Sequence, residues 1–173
     1  PDPNEVRGPN GAPGPEYWQQ RADYKIKVVL DDQKQRIIGS ETITYTNNSR
    51  MPLNYLWVQL DQNRFEPQAL GHQAMEAPDF DSVGFRTLRS EFSREGFEGG
   101  YRIKSVHDGN NEPLPYSIVD TMMRVEVSVR PGATTIFGID WEHNIVNAKA
   151  IRARGGYEYF MEDDNYIYTI AQW

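Results

Sequence analysis

Apolar and polar residues alternate with a period of two along most of the chain from Asp23 onward, which is the pattern of half-buried β-strands. The first such stretch, 24–30, is followed by a turn at 31–33 and by a segment rich in Ile, Thr and Tyr at 36–46. These two stretches predict a β-hairpin. Apolar residues occupy both odd and even positions within 53–60, so both faces of this stretch are apolar. This pattern predicts a central strand covered on both faces.

Strand patterns return in the second half of the chain, separated by turn signals such as Pro131-Gly132. The predicted strands there are 101–107, 114–119, 122–129, 134–141, 157–160 and 166–173. Strands of this length joined by short turns predict an all-β fold, a mostly antiparallel sheet or sandwich with at most short helices.

Two stretches depart from this pattern. Residues 1–15 are rich in Pro, Gly and Asn and nearly free of apolar side chains, which predicts a flexible leader before a single β domain at 16–173. Residues 61–100 are polar with scattered Phe residues, and only 87–94 favour a short helix. A long irregular stretch of this kind is often functional or mobile.

The last residues, 166–173, form an apolar strand pattern with no turn residue and no polar tail. Natural termini are usually polar and mobile. The pattern therefore favours a β domain that is truncated at its C-terminal end.

The amino-acid composition narrows the classes of molecule that this chain could bind. The chain has 25 acidic and 18 basic residues, a net charge of −7, which disfavours nucleic acid because phosphate contacts need Lys and Arg. No apolar run approaches the ~20 residues of a membrane span, and no signal-peptide core is present. The absence of cysteine excludes disulfides and thiolate catalysis and leaves the cellular compartment open.

Candidate metal ligands are few. The three histidines, His72, His107 and His143, have no histidine partner four residues away, so no helical two-histidine zinc site is present. The acidic cluster 162–165 could bind calcium, but it lacks the ligand spacing and closing Glu of an EF-hand loop. A solvated turn is the favoured interpretation of this cluster.

Candidate catalytic and sugar-binding groups are no more specific. Asp79 and Asp81 could act as paired carboxylates, although a polar loop explains them equally well. Five aromatic residues could form a sugar-binding platform: Tyr17, Trp18, Tyr55, Trp57 and Trp141. Most of them occupy strand-period positions, which favours a place in the core.

Three segments resemble a known family: YWQQRADY at 17–24, GSETITYTNNS at 39–49 and LNYLWVQLDQN at 53–63. They resemble the start of bacterial zinc aminopeptidases of the aminopeptidase N-like gluzincin family. In that family the first domain is a saddle-shaped, mostly antiparallel β domain. The segment YIYTIAQW at 166–173 resembles the family's strand before a T-Q-x-Q/E segment that reaches toward the active site.

The resemblance implies a role without catalysis for this chain. The family's zinc-binding H-E-x-x-H motif and its amine-binding G-x-M-E-N strand are absent from these 173 residues. In the family they lie in the following domain, which would be this chain's partner, together with a peptide substrate. The implied cofactor is Zn in the full-length parent, with no metal-binding or catalytic residue in this chain.

Gln172 is the only residue of this chain that matches a site residue of the family. It matches the first Gln of T-Q-x-Q/E, with Ala171 in place of Thr, in a region that borders the pocket for the substrate's N-terminal side chain. A polar strand residue facing solvent is the alternative interpretation of Gln172.

Two functions of different classes follow from the sequence. The first is the non-catalytic N-terminal domain of a zinc-dependent aminopeptidase, which walls the active-site cleft and helps to position the peptide N-terminus. The second is a freestanding β-sandwich binding module for carbohydrate or protein, with 61–100 as its binding loop.

Overall fold

The structure, a computed structural model, describes residues 4–74, 84, 85, 88, 92 and 96–171. Nine strands and two short helices span these residues. The strands are β1 (Arg21–Asp31), β2 (Arg36–Thr46), β3 (Leu53–Gln59), β4 (Tyr101–Asp108), β5 (Tyr116–Val119), β6 (Met122–Val129), β7 (Thr134–Asn144), β8 (Gly156–Phe160) and β9 (Asn165–Thr169). The helices are a 3₁₀ turn at Asp61–Phe65 and α1 at Leu70–Gln73. The prediction of an all-β fold with antiparallel sheets is confirmed.

The larger sheet has four strands in the order β1-β2-β7-β4, and all its pairs are antiparallel. The pairing of β1 with β2 confirms the predicted hairpin. The alternation of β7 is also confirmed, since Phe137, Ile139 and Trp141 are buried. Directly opposed residues of an antiparallel pair share a face, so these side chains define the inner face of the sheet.

The second sheet has three strands in the order β3-β6-β5 and packs on that inner face. Alternate residues of β6 supply its half of the core, including Met123 and Val125, which have no exposed surface. The core therefore lies between β6 and the middle strands of the larger sheet.

The position of β3 differs from the prediction. This strand lies at the edge of its sheet, and only Leu56 of its seven residues is fully buried. Tyr55 and Trp57 are 42% and 53% exposed. The expectation of a central strand covered on both faces was wrong, because the strand lies at an edge and the aromatic side chains of its second face remain partly exposed.

The remaining segments are smaller. Strands β8 and β9 form a separate hairpin, from which Tyr168 donates a hydrogen bond to the Asp32 carbonyl (3.2 Å). In the leader, the Gly14 N–H donates to the Val6 carbonyl (2.9 Å). The flexibility of the leader stays a prediction. Much of 61–100, including most of the helix expected at 87–94, lies outside the described residues.

Within the described part of the chain, no helix is long and apolar enough to cross a membrane.

Candidate binding cleft

A cavity of about 700 Å³ lies between β3 and the inner face of the larger sheet. Its floor is formed by β1 and β2, including Tyr24, Ile43 and Tyr45, and all residues from Leu53 to Leu60 line its opposite side. Cavities of this size with mostly apolar walls are typical of binding sites. The cleft exists because the three-stranded sheet covers β7 and leaves β1 uncovered.

Aromatic side chains make up much of the cleft wall. They are Tyr24, Tyr45, Tyr55, Trp57, Tyr101 and Trp141. Tyr101 packs edge-on against Trp141, with ring centroids 5.4 Å apart, and Tyr55 packs edge-on against Trp57 at 5.9 Å. On its other side, Tyr55 lies under the Arg124 guanidinium, 4.2 Å from the ring centroid. Both exposed aromatic residues of β3 are thus held in place by neighbours.

Among the described residues that line the cleft, Glu41 is the only acidic one. It lies in β2 between Gly39 and Ile43 on the inner face, and it is opposed by Ile26 of β1 and Ile139 of β7. No described residue forms an ion pair with its carboxylate. Burial raises the pKa of Glu41. A carboxylate in these surroundings favours a cationic partner.

No sequence motif singles out Glu41, although the strand pattern contains a signal for it. Within 36–46, Glu41 has the same parity as Ile37, Ile43 and Tyr45, all of which face inward. A charged residue at an inward position of an alternating strand departs from the pattern, and such departures often mark function.

The five aromatic residues considered for a sugar-binding platform differ in burial and do not all line one site. Trp141 is buried, as the core interpretation predicts. Tyr17, Trp18, Tyr55 and Trp57 are between 38% and 53% exposed, so the core interpretation is wrong for these four. Only Tyr55, Trp57 and Trp141 line the cleft.

The histidines are not arranged as a metal site. His143 is buried, stacked on Trp141 with 5.8 Å between ring centroids, and its Nδ1 donates to the Asn144 carbonyl (3.1 Å). Burial lowers the pKa of His143, which keeps the ring neutral. His107 lies on β4, with its Nδ1 3.1 Å from the Asp108 carbonyl. His72 lies in α1.

Residues 162–164 of the acidic cluster lie in the turn between β8 and β9, as predicted, and Asn165 begins β9. Tyr159 donates a hydrogen bond to its Asp164 carboxylate (2.7 Å), and both side chains are exposed. Within the described residues, no group of three or more His, Asp or Glu side chains could hold a metal ion. Nothing observed around the turn adds a ligand to the cluster.

A second charged group lies on the outer face of the larger sheet. Glu142 of β7 is 9% exposed and pairs with Arg102 (3.0 Å), Lys104 (3.1 Å) and Arg36 (3.5 Å). Burial acts to raise its pKa, but hydrogen bonds from Lys104 and Arg102 and the nearby Arg36 charge outweigh it, so the pKa of Glu142 is lowered. Its charge is neutralised within the sheet, which is typical of a structural ion pair.

Three candidate residues from the sequence, Gln172, Asp79 and Asp81, lie outside the described residues.

Among known proteins, this chain has structural matches but no sequence matches. No protein family matches the sequence, and no curated protein matches it. An M1 zinc metallopeptidase mutant from Deinococcus radiodurans matches 79% of this chain and 24% of its own, with 14% identity and a TM-score of 0.43. A two-domain M1 zinc metallopeptidase mutant bound to L-arginine matches 81% of this chain and 26% of its own, with 14% identity and a TM-score of 0.42.

This chain therefore spans about a quarter of the length of each matched structure. Both TM-scores lie below 0.5, so we base no functional conclusion on these matches.

Proposed function

We propose that this chain is the non-catalytic β domain of a larger zinc-dependent aminopeptidase, in which it walls the active-site cleft and helps to position the N-terminus of a peptide substrate. The observation that carries the proposal is the sequence resemblance of 17–24, 39–49 and 53–63. The first two of these segments overlap β1 at 21–24 and β2 at 39–46, and these strands pair along their whole length. A partner domain supplied by the same polypeptide would hold the zinc.

Uncovered apolar surface supports a role beside a second domain. Val29 of β1 and Ile167 of β9 are 61% and 57% exposed, and Met161, in the β8–β9 turn, is 80% exposed. Contiguous exposed apolar surface is typical of protein interaction sites. A neighbouring domain that covers β1 or the β8–β9 hairpin would remove this surface from water.

The first test is the coding sequence beyond residue 173. We expect it to continue the β domain and then to encode a helix with H-E-x-x-H and a third zinc ligand, Glu. A parent protein without H-E-x-x-H would refute the proposal.

The second test concerns Gln172 in the full-length enzyme. We expect Gln172→Ala to change KM or side-chain preference more than zinc content, because the residue would border the substrate pocket and not hold metal. Gln33→Ala, in the exposed turn after β1, is the matched control and should change neither. Loss of zinc with unchanged substrate preference would contradict the assignment of Gln172.

The cleft favours a second candidate function, a freestanding β-sandwich binding module. Its aromatic walls and its carboxylate, Glu41, are features of a ligand site. A stop codon directly after residue 173 would favour this candidate over the peptidase domain.

A further inference from the structure

The cleft contains an unpaired strand edge. β3 pairs with β6 on one side, and among the described residues no strand pairs with its other edge. Consecutive residues of β3 line the cleft whichever face they occupy, so the backbone edge itself borders the cavity. Such an edge presents alternate N–H and C=O groups that another strand can pair with.

The floor of the cleft continues into a surface that another strand would cover. Tyr24 of β1 lines the cleft and is 57% exposed, and Ile26 and Val28 extend the same face of β1 beyond the lining residues, where they are 40% and 37% exposed. Neighbouring strands lie about 4.8 Å apart and packed sheets about 10 Å apart. A fourth strand beside β3 would therefore lie over β1 and β2, with alternate side chains pointing onto this apolar floor.

Glu41 favours a basic side chain at one position of the incoming strand. Its carboxylate is on the same floor, and no described residue forms an ion pair with it. An ionised carboxylate in apolar surroundings is costly unless it is paired and hydrogen-bonded. A lysine or arginine on the incoming strand would supply both the charge and the hydrogen-bond donors.

We propose that the cleft binds an extended peptide segment that pairs with the free edge of β3, with alternate apolar side chains on β1 and β2 and one lysine or arginine side chain on Glu41. The backbone edge gives affinity, and the apolar floor with its single carboxylate gives specificity. A small organic cation would satisfy Glu41 but would leave the edge of β3 unpaired. The inference does not rest on the proposed peptidase function.

The probe is a capped nine-residue peptide, Ser-Val-Thr-Val-Thr-Lys-Thr-Val-Ser, whose valines and lysine share one face when it is extended. A second peptide carries norleucine in place of lysine. Binding is measured by intrinsic tryptophan fluorescence, to which Trp57, 53% exposed in the cleft wall, contributes, and by amide hydrogen exchange along β3.

We expect the lysine peptide to bind about tenfold more tightly than the norleucine peptide, which is the scale of a hydrogen bond to a charged group. Glu41→Gln should remove this preference. Glu126→Gln is the matched control and should retain it, because Glu126 lies on β6, does not line the cleft and already pairs with Arg124 (3.0 Å). The comparison of the two peptides on the unaltered chain holds even if Glu41→Gln fails to fold.

Two N-methylated peptides test the strand pairing. One is methylated on the threonines and the other on the valines and lysine. Because alternate residues present N–H groups to opposite edges, one of the two should lose binding. The unmodified peptide should also slow amide exchange in β3.

Several results would overturn the inference. They are equal binding of the lysine and norleucine peptides, full binding by both methylated peptides, unchanged exchange in β3, equally tight binding of n-octylammonium, and self-association of the chain that blocks the cleft.

Discussion

Single residues at inward positions decide how tightly the larger sheet packs. Gly39 of β2 lies opposite Trp141 of β7, and a Cβ at Gly39 would overlap the Trp141 ring. The absence of a side chain at Gly39 thus makes room for the largest buried aromatic ring of the core. Sequence alternation could place both residues inward, but it could not show that one fills the space of the other.

We expect Gly39→Ala to lower the free energy of unfolding by about 1–3 kcal/mol, because the methyl group would push Trp141 out of its position. Gly71→Ala in α1 is the control, since nothing lies within 4 Å of a Cβ there, and it should change stability by about 0.5 kcal/mol or less. Urea unfolding followed by circular dichroism measures both variants. Equal effects would contradict the packing of Gly39 on Trp141.

Glu142 should contribute to stability in a pH-dependent way. We expect Glu142→Gln to destabilise the fold by roughly 1–3 kcal/mol at pH 7, less than a fully buried ion pair, because Arg102 and Lys104 are partly solvated. The pKa of Glu142 is lowered in the folded state, so its contribution is complete above the ordinary value of 4.5. It is lost as the pH falls through the lowered folded-state pKa.

Urea titrations between pH 7 and pH 3 should therefore show the unaltered chain and Glu142→Gln converging at the acidic end. Glu126→Gln, which breaks an exposed pair with Arg124, should cost less than about 1 kcal/mol throughout. A difference for Glu142→Gln that grows toward low pH would contradict the assigned sign.

At the scale of elements, local alternation predicts strands well and their neighbours poorly. The β1–β2 hairpin was predictable because its two strands are adjacent in the sequence and joined by a short turn. The edge position of β3 was not predictable from the sequence. Its partner β6 lies more than sixty residues away, and their pairing depends on contacts between distant segments. Because apolar residues occupy both the odd and the even positions of β3, the strand looks as if it had two buried faces, although its odd positions carry the partly exposed Tyr55 and Trp57.

Because β3 is partly exposed, we expect its tryptophan, Trp57, to contribute less to the free energy of unfolding than the buried Trp141. We expect Trp57→Ala to cost about 1 kcal/mol or less and Trp141→Ala about 3–5 kcal/mol, because the first is 53% exposed and the second 4%. Chemical unfolding followed by far-ultraviolet circular dichroism measures both without depending on tryptophan signal. Similar large costs for both would restore the interpretation of β3 as a central strand.

At the scale of the whole molecule, the fold class was predictable and the cleft was not. Period-two patterning along most of the chain was enough to predict antiparallel sheets. The cleft arises from the offset between a four-stranded and a three-stranded sheet, which no local pattern encodes. Glu41 lies where that offset leaves part of β2 facing the cleft, so its access to a ligand follows from the packing of the two sheets and not from its position in the strand pattern alone.

The whole molecule also sets an expectation for chemistry. We predict that residues 1–173 alone have no aminopeptidase activity and retain no stoichiometric zinc. Their sequence has neither H-E-x-x-H nor any pair of histidines four residues apart, and a catalytic zinc site needs three protein ligands with an open position for water. Zinc-activated water is the nucleophile that such an enzyme would use, so without those ligands the scissile carbonyl has no attacking group.

The measurement is turnover of an aminoacyl-anilide after incubation with zinc, together with the metal content after dialysis. The control is this chain extended through any domain that follows it in the parent. If the proposed function holds, the extended protein should gain both zinc and activity. One zinc per chain with turnover in the unextended protein would show that a catalytic set lies within these 173 residues. In that case the peptidase would need ligands other than H-E-x-x-H, and the role of a non-catalytic wall would have to be abandoned.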